Sequence, residues 1–263
     1  MPPKLPPYED YLEFAEKLAD VSRKMLLDAE KVTREFSIKS DNSYVTTADK
    51  AIESKLREMI GEAFPAHGIL GEEFDNTNID AEFVWVLDPI DGTAPFIAGI
   101  PVYGTLIALA WNGKPFIGVM DHPATSERWI GVAGKFAKLN GNPVSVKSCE
   151  SLNTAFVTCS NPDFMTEAEQ ASFAEIRKTV PYVQYGGSCY AYGMLASGRT
   201  DIAIDSGLES FDVFASAAVI QGAGGFLTDW SGNEIDLHSS GQIIAAGDKN
   251  CLNEAVRILT AEQ

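Results

Sequence analysis

The 263-residue sequence is poor in basic residues and in histidine. Lysine and arginine together number 20 against 37 aspartates and glutamates, which gives a formal net charge of −17 at pH 7. This imbalance argues against nucleic acid or an anionic membrane surface as a partner. It also makes an anionic substrate hard to bind without a metal ion. His67, His122 and His238 are scattered along the chain, so we do not expect a histidine-rich zinc site.

Cysteine and long hydrophobic runs are also scarce. The four cysteines, Cys149, Cys159, Cys189 and Cys251, show no CxxC spacing, which favours reduced thiols over a disulfide framework. No apolar span has membrane length, and the opening MPPKLPPYED has no apolar core of signal-peptide length. We therefore expect a cytoplasmic protein. Any metal should be a hard ion with oxygen ligands, for which Mg²⁺ is the default.

The sequence does contain an apolar stretch that ends in carboxylates. Phe83–Leu87 has the length of a buried strand, and the string DPIDGT follows it at residues 88–93. α/β enzymes place their sites where such strands end. Gly92 lets backbone approach a ligand closely, and a short helix starting at Thr93 would favour an anion such as phosphate. Two carboxylates beside an anion site require cations between them, whereas the alternative interpretation is an acidic type I turn.

The order of elements predicts an α/β chain in two halves. A helical period over residues 8–36 and a second helix opened by Thr46–Asp49 precede the apolar stretch. Turn signals at residues 112–113 and 140–141 then indicate antiparallel strands. Beyond about residue 150, strands alternate with helices, which implies a mostly parallel sheet. We predict an N-terminal half (1–150) with two long helices and the antiparallel sheet, and a C-terminal α/β half (151–263).

Three further carboxylates stand where an element begins or ends. Asp49 has capping-box spacing from Thr46, so it could simply cap its helix. Glu72 belongs to an acidic pair, and such pairs are usually solvated surface. Asp212 opens a helix and could also be a cap. If these three clustered with Asp88 and Asp91, they could not all stay ionised without cations, because like charges raise each other's pKa.

The combination of motifs resembles the inositol monophosphatase family of Mg²⁺-dependent, lithium-sensitive phosphatases. The matching strings are VTTAD at residues 45–49, GEE at 71–73, DPIDGT at 88–93 and FDV at 211–213, followed by GAGG at 222–225. The resemblance runs from about residue 10 to the C-terminus. It implies a layered αβαβα sandwich, with helices between and outside an antiparallel and a mostly parallel sheet, in a homodimer.

Carried over to this chain, the resemblance implies a set of two or three Mg²⁺ ions. The implied ligands of the first ion are Glu72, Asp88 and the carbonyl of Ile90. Those of the second are Asp88, Asp91 and Asp212, and a loosely held third ion would also use Glu72.

The resemblance also implies how the substrate is held and attacked. The backbone N–H groups of Gly92 and Thr93 would hold phosphate oxygens. Asp49 and the Thr93 hydroxyl would orient the attacking water. The implied reaction is direct attack of metal-activated water on a small phosphate monoester, with no phosphoenzyme.

Some stretches are closer to the histidinol-phosphatase branch of the family, which would place the protein in histidine biosynthesis. These stretches are residues 96–101, 104–109 and 185–192. That branch commonly has an aspartate in place of Ser188, where a carboxylate would suit the cationic part of histidinol. Asp205 or Glu209 could supply the missing charge as substrate-binding residues, although Glu209 could instead be an exposed loop acid. Inositol 1-phosphate is the alternative substrate.

Two other functions compete with this interpretation. Haloacid-dehalogenase phosphatases use a shorter Asp-x-Asp-Gly-Thr string near the N-terminus and form an aspartyl phosphate. Here the spacing is one residue longer and the string follows two helices. A non-catalytic homologue that binds metal or phosphate is the alternative from a different class. Such a protein should have lost a ligand or the water-orienting pair, and all of these residues are present.

Overall fold

The computed structural model describes residues 6–31, 36–39, 44–239 and 241–261. The helices are α1 (Glu9–Ala29), α2 (Thr47–Ala63), α3 (Thr93–Ala98), α4 (Glu167–Thr179), α5 (Ser188–Ala196), α6 (Ser210–Gly222) and α7 (Lys249–Thr260). The strands are β1 (Phe36–Ile38), β2 (Tyr44–Thr46), β3 (Gly68–Gly71), β4 (Phe83–Asp91), β5 (Gly104–Trp111), β6 (Lys114–His122), β7 (Glu127–Val132), β8 (Phe136–Leu139), β9 (Asn142–Val144), β10 (Phe156–Cys159), β11 (Tyr182–Tyr185), β12 (Ile202–Leu208), β13 (Phe226–Thr228) and β14 (Gly241–Ala246).

A seven-stranded sheet follows chain order from β3 to β9. β3 and β4 are parallel, and every later neighbouring pair is antiparallel. The predicted turns lie where the sequence placed them. Asn112 and Asn140 have φ of 48°, and each is followed by a glycine of positive φ, which is the backbone of a type I′ hairpin turn.

The five-stranded sheet has the order β11-β10-β12-β14-β13 and is mixed rather than mostly parallel. β10 lies parallel to β11 and β12, as predicted for strands separated by helices. β14 runs antiparallel to both of its neighbours. The reason is that β14 follows β13 without an intervening helix, and parallel neighbours need a crossover connection.

The layers alternate as αβαβα. The side chains of β4 alternate between the two faces of the sheet. Trp85 and Leu87 lie on the face that packs against α1 and α2. Val84 and Val86 face the other way, toward α5 and α6, which fill the space between the sheets. The outer face of the five-stranded sheet is covered by α4 and α7. The fold predicted from the resemblance is therefore confirmed.

Two glycines let α6 lie directly on the seven-stranded sheet. A Cβ on Gly118 would come within 2.2 Å of the Ala215 carbonyl oxygen, and one on Gly131 within 2.5 Å of Val219 Cα. Neither position could hold a side chain without displacing helix backbone. The close approach brings the start of α6, with Asp212, to the end of β4.

The first helix is shorter than its apolar period predicted. α1 ends at Ala29, and Phe36 begins β1, which pairs antiparallel with β2 in a two-stranded sheet. Val32 lies outside the described residues. The prediction over residues 8–36 was wrong at its end, because pairing with β2 gives Phe36–Ile38 a backbone partner that local periodicity cannot show. The four cysteines are free thiols. None of the helices in the described ranges is long and apolar enough to cross a membrane.

Candidate active site

The carboxylates of the DPIDGT string stand on a bulged strand end. β4 does not stop at Leu87, as the sequence suggested, but continues to Asp91. Asp88 pairs with Leu106 and Asp91 pairs with Gly104 in the β4–β5 register. An advance of three residues along β4 thus corresponds to only two residues along β5. One extra residue is a β-bulge, a site that tolerates a proline such as Pro89 because a ladder hydrogen bond is missing there.

Asp88, Asp91 and Asp212 converge at this bulge. One carboxylate oxygen from each lies within 4.8 Å of the others. Burial, with the charges of Glu72, Asp91 and Asp212 added, raises the pKa of Asp88 well above its ordinary range. Burial and the charge of Asp91 likewise raise the pKa of Asp212. Ionising all three carboxylates is therefore unfavourable unless a cation is bound, because in the described residues none of them forms an ion pair with a basic side chain.

This donor set fits a hard divalent cation. All three groups are carboxylates, the ligands that Mg²⁺ and Ca²⁺ prefer. Oxygens that ligate one such ion, each at about 2.0–2.6 Å from it, can be at most roughly 4–5 Å apart, which agrees with the three oxygens all lying within 4.8 Å of one another. Asp212 also accepts a 2.7 Å hydrogen bond from the Glu209 N–H, so it caps α6 and faces the cluster at once.

Glu72 lies beside this cluster and is paired with a lysine. Lys39 Nζ lies 2.8 Å from Oε1 of Glu72 and 2.6 Å from Oε1 of Glu73. Burial raises the pKa of Glu72 to about 7, although Lys39 acts in the opposite direction. The acidic pair is thus not solvated surface, since the Glu72 side chain is only 17% exposed and that of Glu73 2%.

Asp49 and Thr93 meet across the site. The Asp49 carboxylate is fully buried and accepts from the backbone N–H of Thr46, which completes the predicted capping box of α2. Its other oxygen lies 3.5 Å from the Thr93 hydroxyl. That hydroxyl also donates a 3.0 Å hydrogen bond to the carbonyl of Ile90. Burial raises the pKa of Asp49.

The predicted short helix does begin at Thr93. Gly92 caps α3 with φ of 77°, a left-handed conformation that favours glycine. A Cβ at this position would also lie 3.1 Å from the Ser188 hydroxyl. The start of α3 therefore lies close against the Ser188 side chain.

Ser188 and Glu209 are placed at the starts of α5 and α6, and Asp205 lies deeper. Ser188 has φ of 44°. Asp205 is buried, and its carboxylate accepts hydrogen bonds from the Ser160 backbone, the Ser160 hydroxyl and the Tyr192 hydroxyl. Glu209 is exposed. Of the two carboxylates suggested for substrate contact, only Glu209 is open to solvent.

A model of the inositol monophosphatase family matches residues 8–261. The chain belongs to the inositol monophosphatase family.

The chain is 40% identical over 251 residues to the chloroplastic bifunctional phosphatase IMPL2 of Arabidopsis thaliana, with 92% of this chain and 72% of the plant protein covered. It is 32% identical over 237 residues to a histidinol-phosphatase of Chlorobaculum parvum, with 89% and 91% covered. Among solved structures, an inositol monophosphatase from Zymomonas mobilis superposes with a TM-score of 0.88 at 34% identity, over 97% of this chain and 99% of that one. The protein is thus a phosphatase-family chain along nearly its full length.

Sequence reasoning missed the residues that support the site from behind. Glu53 and Arg57 of α2 form hydrogen bonds with the backbone of the segment that carries Glu72. The Cys189 N–H donates a hydrogen bond to the Asp91 carboxylate. A signal for Glu53 was present in the sequence, since a carboxylate four residues after Asp49 shares its helix face. Cys189 gave no such signal, because only its backbone is used.

Proposed function

We propose that this inositol monophosphatase family member is a Mg²⁺-dependent phosphatase that hydrolyses a small phosphate monoester by direct attack of water. The observation that carries the proposal is the convergence of Asp88, Asp91 and Asp212 within 4.8 Å, beside the start of α3. A carboxylate cluster next to free helix N–H groups suits an anionic substrate only if cations stand between them.

The residues that would hold two or three ions are Glu72, Asp88, Asp91, Asp212 and the carbonyl of Ile90. Bound Mg²⁺ would neutralise phosphate charge and lower the pKa of a coordinated water. The chain's own part is to hold these oxygens in place. Backbone bonds from Ile90 to Asp88, from Cys189 to Asp91 and from Glu209 to Asp212 do so.

The start of α3 would receive the phosphate. The N–H groups of Gly92 and Thr93 would donate to phosphate oxygens, with the helix dipole adding to the attraction. Asp49 and the Thr93 hydroxyl would together orient the attacking water. The buried carboxylate of Asp49 is fixed by Thr46, so the pair is held before substrate arrives.

We propose histidinol phosphate as the substrate, because a relative that aligns over 89% of this chain is named histidinol-phosphatase. Ser188 cannot neutralise a cationic amine or imidazole. Glu209 is the exposed carboxylate at the start of α6, and we assign it that contact in preference to Asp205, whose carboxylate already receives three hydrogen bonds.

The test is phosphate release from histidinol phosphate and inositol 1-phosphate, measured side by side with Mg²⁺ and then with EDTA. We expect metal-dependent release and a higher kcat/KM for histidinol phosphate. A preference for the inositol ester would move the protein to inositol-phosphatase activity and make Ser188 the informative departure. Absence of metal-dependent release from both esters and from a generic phosphate ester would favour the non-catalytic homologue.

The homodimer, inhibition by lithium, a cytoplasmic location and the division into halves near residue 150 are also proposed for this chain. They rest on the family and on composition. Light scattering of the purified protein and titration of phosphate release with Li⁺ check the first two directly.

A further inference from the structure

Three polar side chains of α2 lie on one helix face at intervals of four residues. Asp49, Glu53 and Arg57 follow one another along this face, as i,i+4 neighbours do. Asp49 and Glu53 are both fully buried. A helix that buries two carboxylates on the face it turns to the core needs partners for both.

Glu53 and Arg57 find these partners in the segment that carries Glu72. Oε1 of Glu53 accepts a 2.8 Å hydrogen bond from Arg57 Nε, and Oε2 accepts one of 2.8 Å from the backbone N–H of Glu73. The two terminal nitrogens of Arg57 donate to the carbonyls of Phe74 and Asp75, each at 3.1 Å. Three backbone groups of residues 73–75 are therefore fixed by α2.

The backbone just before Glu72 lies against Glu53 and Arg57 at a glycine, Gly71. A Cβ on Gly71 would lie 2.2 Å from Oε1 of Glu53 and 2.9 Å from Arg57 Nη2. Glu53 is buried and ion-paired, so it cannot swing away cheaply. Gly71 therefore permits the contact that Glu53 and Arg57 make with the residues just after it.

The Glu72 side chain has little else to fix it. In the part of the chain that the structure describes, its carboxylate is bonded by Lys39 alone. The direction of Glu72 thus depends on the backbone on either side, which Gly71 and the Glu73 N–H define.

We propose that Glu53 and Arg57 are positioning residues for Glu72. They tie its backbone to the helix that also carries Asp49, so that one rigid helix sets the place of both a metal ligand and the residue that orients water. This inference rests on the proposed function, in which Glu72 binds Mg²⁺. Partners behind a ligand of this kind typically contribute roughly 10–100-fold to metal affinity or activity.

Two substitutions remove these hydrogen bonds without leaving a cavity in the core. Glu53→Gln keeps the shape, but it replaces one of the two oxygens that accept separately from Arg57 and Glu73 by an NH₂ donor. Arg57→Lys keeps the charge beside Glu53, but a lysine ammonium lacks the planar fork that reaches two carbonyls. Ile60→Val, at a buried position farther along α2, is the matched control for a modest loss of helix packing.

Mg²⁺ alone is titrated into each metal-free protein by calorimetry, and amide hydrogen exchange of residues 72–75 is followed in parallel. We expect the affinity for Mg²⁺ to fall roughly 10–100-fold in both variants, with faster exchange at Glu73 and a smaller change in kcat at saturating Mg²⁺. Ile60→Val should leave the affinity and the exchange at Glu73 as in the wild type.

The outcomes separate this inference from the proposed function. Wild-type protein that binds Mg²⁺ while both variants bind it equally well would overturn the positioning role alone. An equal loss of affinity in Ile60→Val would overturn it too, since lost stability would then explain the effect. Wild-type protein that binds no Mg²⁺ would overturn the proposed function and this inference together.

Discussion

The backbone N–H of Cys189 donates a 2.8 Å hydrogen bond to Oδ2 of Asp91. This bond joins the start of α5 to the end of β4, although the two residues are 98 positions apart. Burial raises the pKa of Asp91, whereas the bond from Cys189 lowers it by favouring the ionised carboxylate. Backbone from the C-terminal part of the chain thus helps to keep a candidate metal ligand charged and in place.

Asp91→Asn should lower kcat/KM by several orders of magnitude and leave the fold intact. The amide oxygen can still accept from Cys189, but the charge that would hold Mg²⁺ is gone. Phosphate release and circular dichroism of the variant check this. A near-normal turnover would remove Asp91 from the site.

Asp212→Asn should raise the thermal midpoint in EDTA. A carboxyl group whose pKa is raised on folding destabilises the folded protein at every pH above its ordinary value of 3.8. At pH 8 the substitution removes this cost and keeps an acceptor for the Glu209 N–H. Each kcal/mol regained should raise the midpoint by about 2–4 °C.

When Mg²⁺ is added, the wild type should have the higher thermal midpoint of the two proteins. The reason is that it gains binding free energy that the Asp212→Asn variant largely loses. Scanning calorimetry of both proteins, with EDTA and with saturating Mg²⁺, gives the four midpoints. Equal midpoint shifts on adding Mg²⁺ would show that Asp212 holds no ion.

Ser188→Asp should raise kcat/KM for histidinol phosphate and lower it for inositol 1-phosphate. The side chain stands beside Gly92, where a carboxylate would meet a cationic group of the substrate. The φ of 44° at this position suits aspartate, which tolerates the left-handed region better than most residues. Steady-state kinetics with both esters measure the change, and Ser188→Asn separates the effect of charge from that of size.

The buried His122 should make stability depend on pH. Its Nδ1–H donates to the Tyr103 carbonyl, 3.0 Å away, and Nε2 faces the Cys189 thiol. Burial lowers the pKa of His122 from 6.5 to about 4. Between these two pH values the unfolded chain therefore binds more protons than the folded protein does. The contribution of His122 to the free energy of unfolding is fully present above pH 6.5 and is lost as the pH falls toward 4.

Urea unfolding of the wild type and His122→Gln at pH 5 and pH 7 tests this. On going from pH 7 to pH 5, the free energy of unfolding of the wild type should fall by about 2 kcal/mol more than that of the variant. The comparison isolates His122, because both proteins share the buried carboxylates, whose raised pKa acts in the opposite direction. Equal losses would contradict the assignment.

Gly118→Ala should destabilise the protein by at least about 1–3 kcal/mol. The new methyl group would meet the Ala215 carbonyl at 2.2 Å, and α6 would have to move off the sheet. Gly61→Ala is the matched control, because a Cβ there meets nothing within 4 Å and alanine in a helix gains roughly 0.5–1 kcal/mol. Denaturant unfolding of the two variants should give shifts of opposite sign.

Local chemistry made much of the fold predictable from sequence. The Asn-Gly turns, the capping box at Thr46 and the start of α3 after Gly92 each depend on neighbouring residues, and each lies where it was predicted. The division near residue 150 and the roles of the site residues stay predictions.

The sequence by itself determined which side chains could do chemistry, because residue types and their spacing in the DPIDGT and GEE strings are local properties. Only the tertiary structure decided which of them meet. It brings Asp212 to Asp88 and Asp91, sets Lys39 on Glu72 and runs β14 against its neighbours. The physical reason is that these arrangements come from packing between segments far apart in the chain, such as α6 lying on Gly118, and no local periodicity encodes such distances.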